Sequence, residues 1–293
     1  MNDPIPPERV FSPAREEAEV ARHQTAIPQT EHSAYRLAFQ DNDFLLREDL
    51  RPVRFQLELL KPELLLEEAR IASTFVFYGS ARIPEPSKAP SLVQAAVTDG
   101  QRGIAERLLA KSKYYEVARE LARIASRVGP DAEGKKHFVV CSGGGPSIME
   151  AANRGAAEEG ADTIGLNIVL PHEQAPNAYV TPDLCFNFHY FATRKIHFLL
   201  RARAVAIFPG GFGTLDEFFE TLTLIQTGRM DRIPLLLFGM EFWKKVINFE
   251  ALAEAGTIAP DDPELFTVVD SAEEGWNVVR EHYNLPEVEL RAV

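Results

Sequence analysis

The stretch AVAIFPGGFGTLDE, Ala204–Glu217, decides the reading of the fold. Its first six residues are small or apolar without alternation, the pattern of a strand covered on both faces. Gly210 and Gly211 then break the run, and a helix is expected over Thr214–Thr227. The same grammar recurs in HFVVCSGGG (His137–Gly145), after which Pro146 is expected to open a helix reaching about Glu159, since proline suits the first helical position. Working outward, TFVFYGS (Thr74–Ser80), TIGLNIVL (Thr163–Leu170), LCFNFHY (Leu184–Tyr190), PLLLFG (Pro234–Gly239) and FTVVD (Phe266–Asp270) read as further strands. Helices are expected over Lys113–Val128, Phe191–Arg203 and Trp243–Ala255, and from Ser271 onward. Short apolar strands alternating with helices predict an α/β fold, and right-handed crossovers make it a doubly wound parallel sheet.

Upstream the composition changes. Residues 1 to about 35 are polar and carry Pro4, Pro6, Pro7, Pro13 and Pro28. They read as a flexible arm with a short helix near Ala14–His23. Residues 43–70 place Leu, Val and Phe at helical spacings and read as one or two helices interrupted at Pro52 and Pro62. The expected organisation is therefore an arm and helical extension over residues 1–70 and a nucleotide-binding catalytic domain over residues 71–293.

The whole chain of 293 residues has 31 Lys and Arg against 43 Asp and Glu, a net charge of −12. That balance opposes a protein that coats nucleic acid, because such binding is driven by counterion release onto basic surface. It leaves room for a small anion in a locally positive pocket. Cys141 and Cys185 lack any CxxC or metal-ligand spacing, which suits a reducing, cytoplasmic setting. No apolar run reaches the ~18 residues of a membrane span, and the acidic, proline-rich start is no secretory signal.

Two strands that end in glycine turns and feed helices place both turns at the carboxyl edge of one parallel sheet. Glycine admits close approach to a ligand, and a helix start offers unpaired N–H groups at the positive end of a dipole. The P-loop pattern is absent, and GxGxxG fails because Ile148 and Asp216 stand where its third glycine belongs. A monophosphate is the simplest fit, with no cofactor and no metal. Glu217 and Glu220 share a helix face, whereas Asp216 points elsewhere. Thr214-x-x-Glu217 is either a capping box or a carboxylate facing the crevice, where it would bind sugar hydroxyls, position water or face oxocarbenium charge. Arg194 and Lys195 are the basic pair nearest these turns in sequence, and a guanidinium suits phosphate. His189 and His197 read as structural histidines.

PGGFGTLDE (Pro209–Glu217), the upstream TRK (Thr193–Lys195), SGGGPSIMEAANRGA (Ser142–Ala156) and YGSAR (Tyr78–Arg82) resemble the LOG ("lonely guy") family in its larger bacterial branch, over roughly residues 72–283. The resemblance implies a Rossmann-like fold, homodimeric or larger, which hydrolyses the N-glycosidic bond of AMP or cytokinin riboside 5′-monophosphate to free base and ribose 5-phosphate. It implies catalytic positions for Arg194 and Glu217. It implies substrate contacts at Gly79, Ser80, Gly143, Gly144, Gly145, Met149, Gly210, Gly211, Gly213 and Thr214, and the charged residues beside these motifs, Arg82, Lys195 and Glu220, are expected to join them. The chain departs from the family pattern at Ser147, where glycine is common, and at Ile196–His197, where small and acidic residues are common. The "lysine decarboxylase" label carried by some members would need Lys195 as a Schiff base. A molybdenum-cofactor carrier, with a similar fold and glycine turns, is the alternative function.

Overall fold

The computed structural model describes residues 11–171 and 175–286. The first ten residues of the expected arm, Pro4, Pro6 and Pro7 among them, lie outside these. The chain divides into two units, Met1–Glu58 and Leu59–Val293.

The first unit contains short helices: α1 (Ala14–Arg22), α2 (Pro28–Glu31) and α3 (Asn42–Leu45). Asp41 caps α3 by accepting from the N–H groups of Asp43 and Phe44. Helix α4 (Arg51–Glu68) crosses the boundary and runs unbroken where two proline interruptions were expected. Pro52 sits in its first turn, where a missing N–H costs no helical bond. Pro62 is interior, but its ring is buried, as is Leu66 one turn later, and that packing offsets the lost bond.

The second unit is built on seven parallel strands: β1 (Thr74–Tyr78), β2 (Val139–Ser142), β3 (Thr163–Ile168), β4 (Cys185–Phe188), β5 (Ala202–Ile207), β6 (Leu235–Phe238) and β7 (Thr267–Val269). Their order is β4-β3-β2-β1-β5-β6-β7, and every pairing is parallel. This is the expected doubly wound, Rossmann-like α/β sheet. Alternate residues of the central strands serve two cores. Phe75, Phe77, Val140, Ala204, Ala206, Leu236 and Phe238 face α7 (Lys113–Ser126), α8 (Ile148–Glu158) and α13 (Ala272–Tyr283). Val76, Tyr78, Cys141, Val205, Ile207 and Leu237 face Leu66 of α4, Phe198 of α9 (Phe191–Leu200), Phe218 and Ile225 of α10 (Phe212–Gln226) and Trp243 of α11 (Met240–Val246).

Helices α5 (Ala89–Gln94) and α6 (Asp99–Lys111) fall where no element was expected. Thr98 and Gln101 start α6 with a reciprocal capping box. The single helix expected over Trp243–Ala255 is two, because Ile247 is extended and the Asn248 side chain caps α12 (Phe249–Glu254). Ser271 and Glu274 form the capping box that opens α13.

The strand order reverses at β1, which has β2 on one side and β5 on the other. A doubly wound sheet binds its ligand at such a point, outside the carboxyl ends of the strands. The turns after β1, β2 and β5 meet there. The Phe208 N–H donates to the Tyr78 carbonyl, the Ser80 N–H to Pro209, and the Ile148 N–H to Ser80.

Candidate active site

The turn after β5 sets the position of Glu217 on α10. Helix α10 begins at Phe212 with Gly211 as its N-cap and no side chain capping it. Thr214 therefore lies inside the helix, buried, and the capping box between Thr214 and Glu217 does not form. That leaves the first-turn N–H groups without a side-chain cap, the condition an anion site at a helix start requires. It also leaves the Glu217 carboxylate for another partner. The partner is Arg194 of α9, whose Nη1 lies 3.8 Å from Glu217 Oε1, with the two side chains 12% and 16% exposed.

Arg194 is held from three sides. Its Nε donates to the Leu166 carbonyl of β3 at 2.7 Å. Its guanidinium lies 5.0 Å above the Phe198 ring. Its Nη2 fills the place a side chain on Gly143 would need, since a Cβ there would stand 2.6 Å from it. Burial pushes the Glu217 carboxyl up to about 7, with Arg194 and then Lys195 pulling the other way. Glu217 thus titrates near neutrality, the range suited to proton transfer or charge stabilisation.

The turn after β2 forms the facing wall. Gly144 has φ +71°, and a Cβ on it would meet the Asn167 amide at 2.5 Å. Helix α8 begins at Ile148, two residues later than Pro146 was expected to open it, because Ser147 takes φ +69° as the N-cap. Met149 lies over the turn, its side chain against Gly143 and Gly145. Gly79 packs against the Ile148 side chain, where a Cβ would not fit, and the Ser80 N–H is tied to the Pro209 carbonyl. Arg82 is exposed, and its N–H donates to the Ser80 hydroxyl. Gly210 packs against Thr214, whereas Gly211 and Gly213 have no heavy atom within 4 Å of an added Cβ.

Lys195 and Glu220 are placed differently from Arg194 and Glu217. Lys195 lies 2.7 Å from Asp216 and 3.4 Å from Glu220 in an ion-pair cluster on the outer side of α9 and α10. His197 is buried, as expected of a structural histidine. Among the described residues, no group of three or more His, Cys, Asp or Glu is placed to hold a metal ion.

The sequence reading passed over three asparagines. Asn153 is fully buried and accepts from the Ser142 hydroxyl at 2.7 Å and from Asn177 at 2.9 Å. Asn177 also binds the turn through its own N–H to the Gly144 carbonyl and its amide to Gly145. Asn167 donates to the Phe186 carbonyl at 3.1 Å beside Gly144. The available signal was Asn167 itself, a polar interruption in the otherwise apolar TIGLNIVL.

Residues 149–279 match the family model described as "Possible lysine decarboxylase". The chain is 25% identical over 167 residues to the cytokinin riboside 5′-monophosphate phosphoribohydrolase LOG3 of Arabidopsis thaliana, covering 56% of this chain and 73% of that one. It is 27% identical over 167 residues to the cytokinin riboside 5′-monophosphate phosphoribohydrolase of Mycobacterium tuberculosis, covering 53% and 83%. Over this part of the chain the sequence is thus similar to LOG-family phosphoribohydrolases. Within the segment matched by the family model fall Met149, Arg194, the glycine turn after β5 and Glu217, while Gly79, Ser80, Arg82 and Gly143–Gly145 precede it. Among solved structures, the molybdenum cofactor carrier protein of Chlamydomonas reinhardtii superposes with a TM-score of 0.42 at 17% identity, covering 72% of this chain and 99% of that one. No described helix is long and apolar enough to cross a membrane.

Proposed function

We propose that the protein hydrolyses the N-glycosidic bond of nucleoside 5′-monophosphates, AMP or a cytokinin riboside 5′-monophosphate, to free base and ribose 5-phosphate. The observation that carries this reading is the buried Arg194–Glu217 pair between two glycine turns. The uncapped N–H groups opening α10 hold the 5′-phosphate, beside the glycine turn after β2 and with Gly79, Ser80 and Arg82 on the β1 side. Glu217 orients the ribose hydroxyls or the attacking water and faces the positive charge that develops at C1′. The water oxygen bonds to C1′ as the bond to the base breaks, and a proton passes to the departing base. Arg194 balances charge on the phosphate or the departing base. Preorganised charge of this kind is commonly worth several kcal/mol of barrier. The catalytic unit is residues 71–293, extended by residues 1–70.

A decarboxylase using Lys195 as a Schiff base fits poorly. Burial depresses that amine, but Asp216 and Glu220 more than compensate and hold it above its ordinary range. A Schiff-base lysine needs the opposite shift. The protein works as a homodimer or larger oligomer in a cytoplasmic setting. Supporting the oligomer, Phe191, Ile196 and Leu200 of α9 and Phe212 and Phe219 of α10 are exposed. Lys195, Ile196, Leu200 and Glu220 also line a groove of about 490 Å³.

The test incubates the purified protein with a panel of nucleoside 5′-monophosphates and follows free base and ribose 5-phosphate. Release from AMP or the cytokinin nucleotide, and none from the matching nucleosides, is the expected result. Tight nucleotide or pterin binding without release would replace the enzyme with a carrier.

A further inference from the structure

Arg194 is not positioned by its own contacts alone. It opens one face of α9, and His197 and Arg201 continue that face at helical spacing. The side chain of His197 is fully buried, with its ring 5.4 Å from that of Phe188 and its Nδ1 3.7 Å from Glu63 Oε1. Arg201 grips the same carboxylate with a fork, Nη2 to Oε2 at 3.1 Å and Nε to Oε1 at 3.4 Å, and donates through Nη1 to the Ile71 carbonyl at 2.7 Å. Glu63 belongs to the part of α4 that packs within the parallel-sheet unit. One carboxylate of α4 thus holds the C-cap residue of the helix that presents Arg194, and lies beside His197 in that helix's last turn.

We infer that Glu63 is a positioning residue, which sets the rotation of α9 and so the placement of the Arg194 guanidinium against Glu217. The inference rests on the proposed hydrolysis for its functional consequence. An arginine–carboxylate fork fixes direction as well as distance. A helix whose C-cap Arg201 is forked onto Glu63 and tied to the Ile71 carbonyl cannot turn about its axis without losing those bonds. At the other end, the 3.8 Å between Arg194 and Glu217 and the bond to the Leu166 carbonyl depend on that rotation. A shift of about 1 Å in a reacting constellation costs on the order of a hundredfold in rate. The charge on α4 is therefore part of the site although it touches no substrate.

The test compares full-length wild type with Glu63→Gln, which keeps the side chain's size, and Arg201→Lys, which keeps the charge but loses the fork. Two readings are taken: steady-state kinetics with AMP, and the Arg194 side-chain Nε–H resonance, assigned through Arg194→Lys. Both variants are expected to lower kcat roughly tenfold to a hundredfold, move KM less than about threefold, and shift the Arg194 resonance. Glu68→Gln, on the exposed side of the same helix, is expected to leave both readings at wild type. If Glu63→Gln and Arg201→Lys lower the melting temperature while kcat and the resonance stay unchanged, Glu63 is only structural and the inference is overturned. If the wild type releases no base, the functional reading fails separately. The resonance then still decides whether Glu63 positions Arg194.

Discussion

The two glycine turns look alike in the sequence, yet they are glycine-rich for different reasons. In the turn after β2 a side chain at any of Gly143, Gly144 or Gly145 would collide with Arg194, Asn167 or Met149. The turn after β5 has one such position, Gly210 against Thr214, while Gly211 and Gly213 are open. The first turn is dense because protein fills it. The second is open, and the helix it starts has no side-chain cap. The first is therefore a fixed wall beside Arg194, and the second is the face that the proposed function would give to phosphate and ribose.

The sharpest test of that division is Glu217→Gln, on the helix that the open turn starts. Loss of the carboxylate is expected to lower kcat by about 10²–10⁴ while nucleotide binding stays measurable. Wild-type turnover in the variant would remove Glu217 from the mechanism. The wild-type rate should rise with pH through about 7 as Glu217 ionises. Stability should move the other way. The folded carboxyl titrates above its ordinary 4.5, so the stability its neutral form contributes is lost as pH climbs from there to about 7. Urea unfolding of Glu217→Gln over the same range should show that slope flattened.

Gly144→Ala probes the dense turn. It forces φ +71° on a residue with a Cβ and presses it on the Asn167 amide, which is anchored to the Phe186 carbonyl. The expected loss is about 2–4 kcal/mol in chemical denaturation. A loss under about 0.5 kcal/mol would mean the wall is not fixed.

Gly213→Ala asks the converse question. Its added methyl meets no protein atom and stands in the first turn of α10. Stability should rise by about 0.5–1 kcal/mol, the ordinary helical gain over glycine. If a ligand approaches that backbone, the same methyl should cost roughly 1–3 kcal/mol of binding, a tenfold or greater fall in kcat/KM. A variant both more stable and fully active would show that the open turn is not the ligand face.

The sheet was legible because apolar runs such as Phe75–Phe77 and Val205–Phe208 report burial on both faces, which only a parallel, doubly covered sheet supplies. Arg194 and Glu217 could be proposed as a pair because each has a motif beside it, and the geometry then brings them to 3.8 Å. What stayed hidden depends on contacts distant in sequence. Lys195 follows Arg194 directly, yet one helical step carries it to Asp216 and Glu220. The capping box at Thr214 failed because α10 starts two residues earlier, which no local pattern announces. Asn153 and Asn177, 24 residues apart, meet only when β3 returns beside β2.

Ser147 is where the smallest of these effects is expected. It closes the dense turn at φ +69° and ψ −123°, a conformation that disfavours any residue with a Cβ. Its side chain is buried, and its hydroxyl donates to the Ile83 carbonyl, which ties the segment after β1 to the start of α8. That bond is what a serine offers here in exchange for backbone strain. Ser147→Ala removes the bond and keeps the strain. Ser147→Gly removes the bond and releases the strain, less the entropy a glycine loses on folding. The glycine variant should therefore be the more stable of the two by about 1 kcal/mol in urea unfolding, with both below wild type if the hydroxyl outweighs the strain. Equal stabilities would show that the backbone at 147 is not strained, and the density of this turn would then rest on side-chain packing around Gly143 and Gly144 alone.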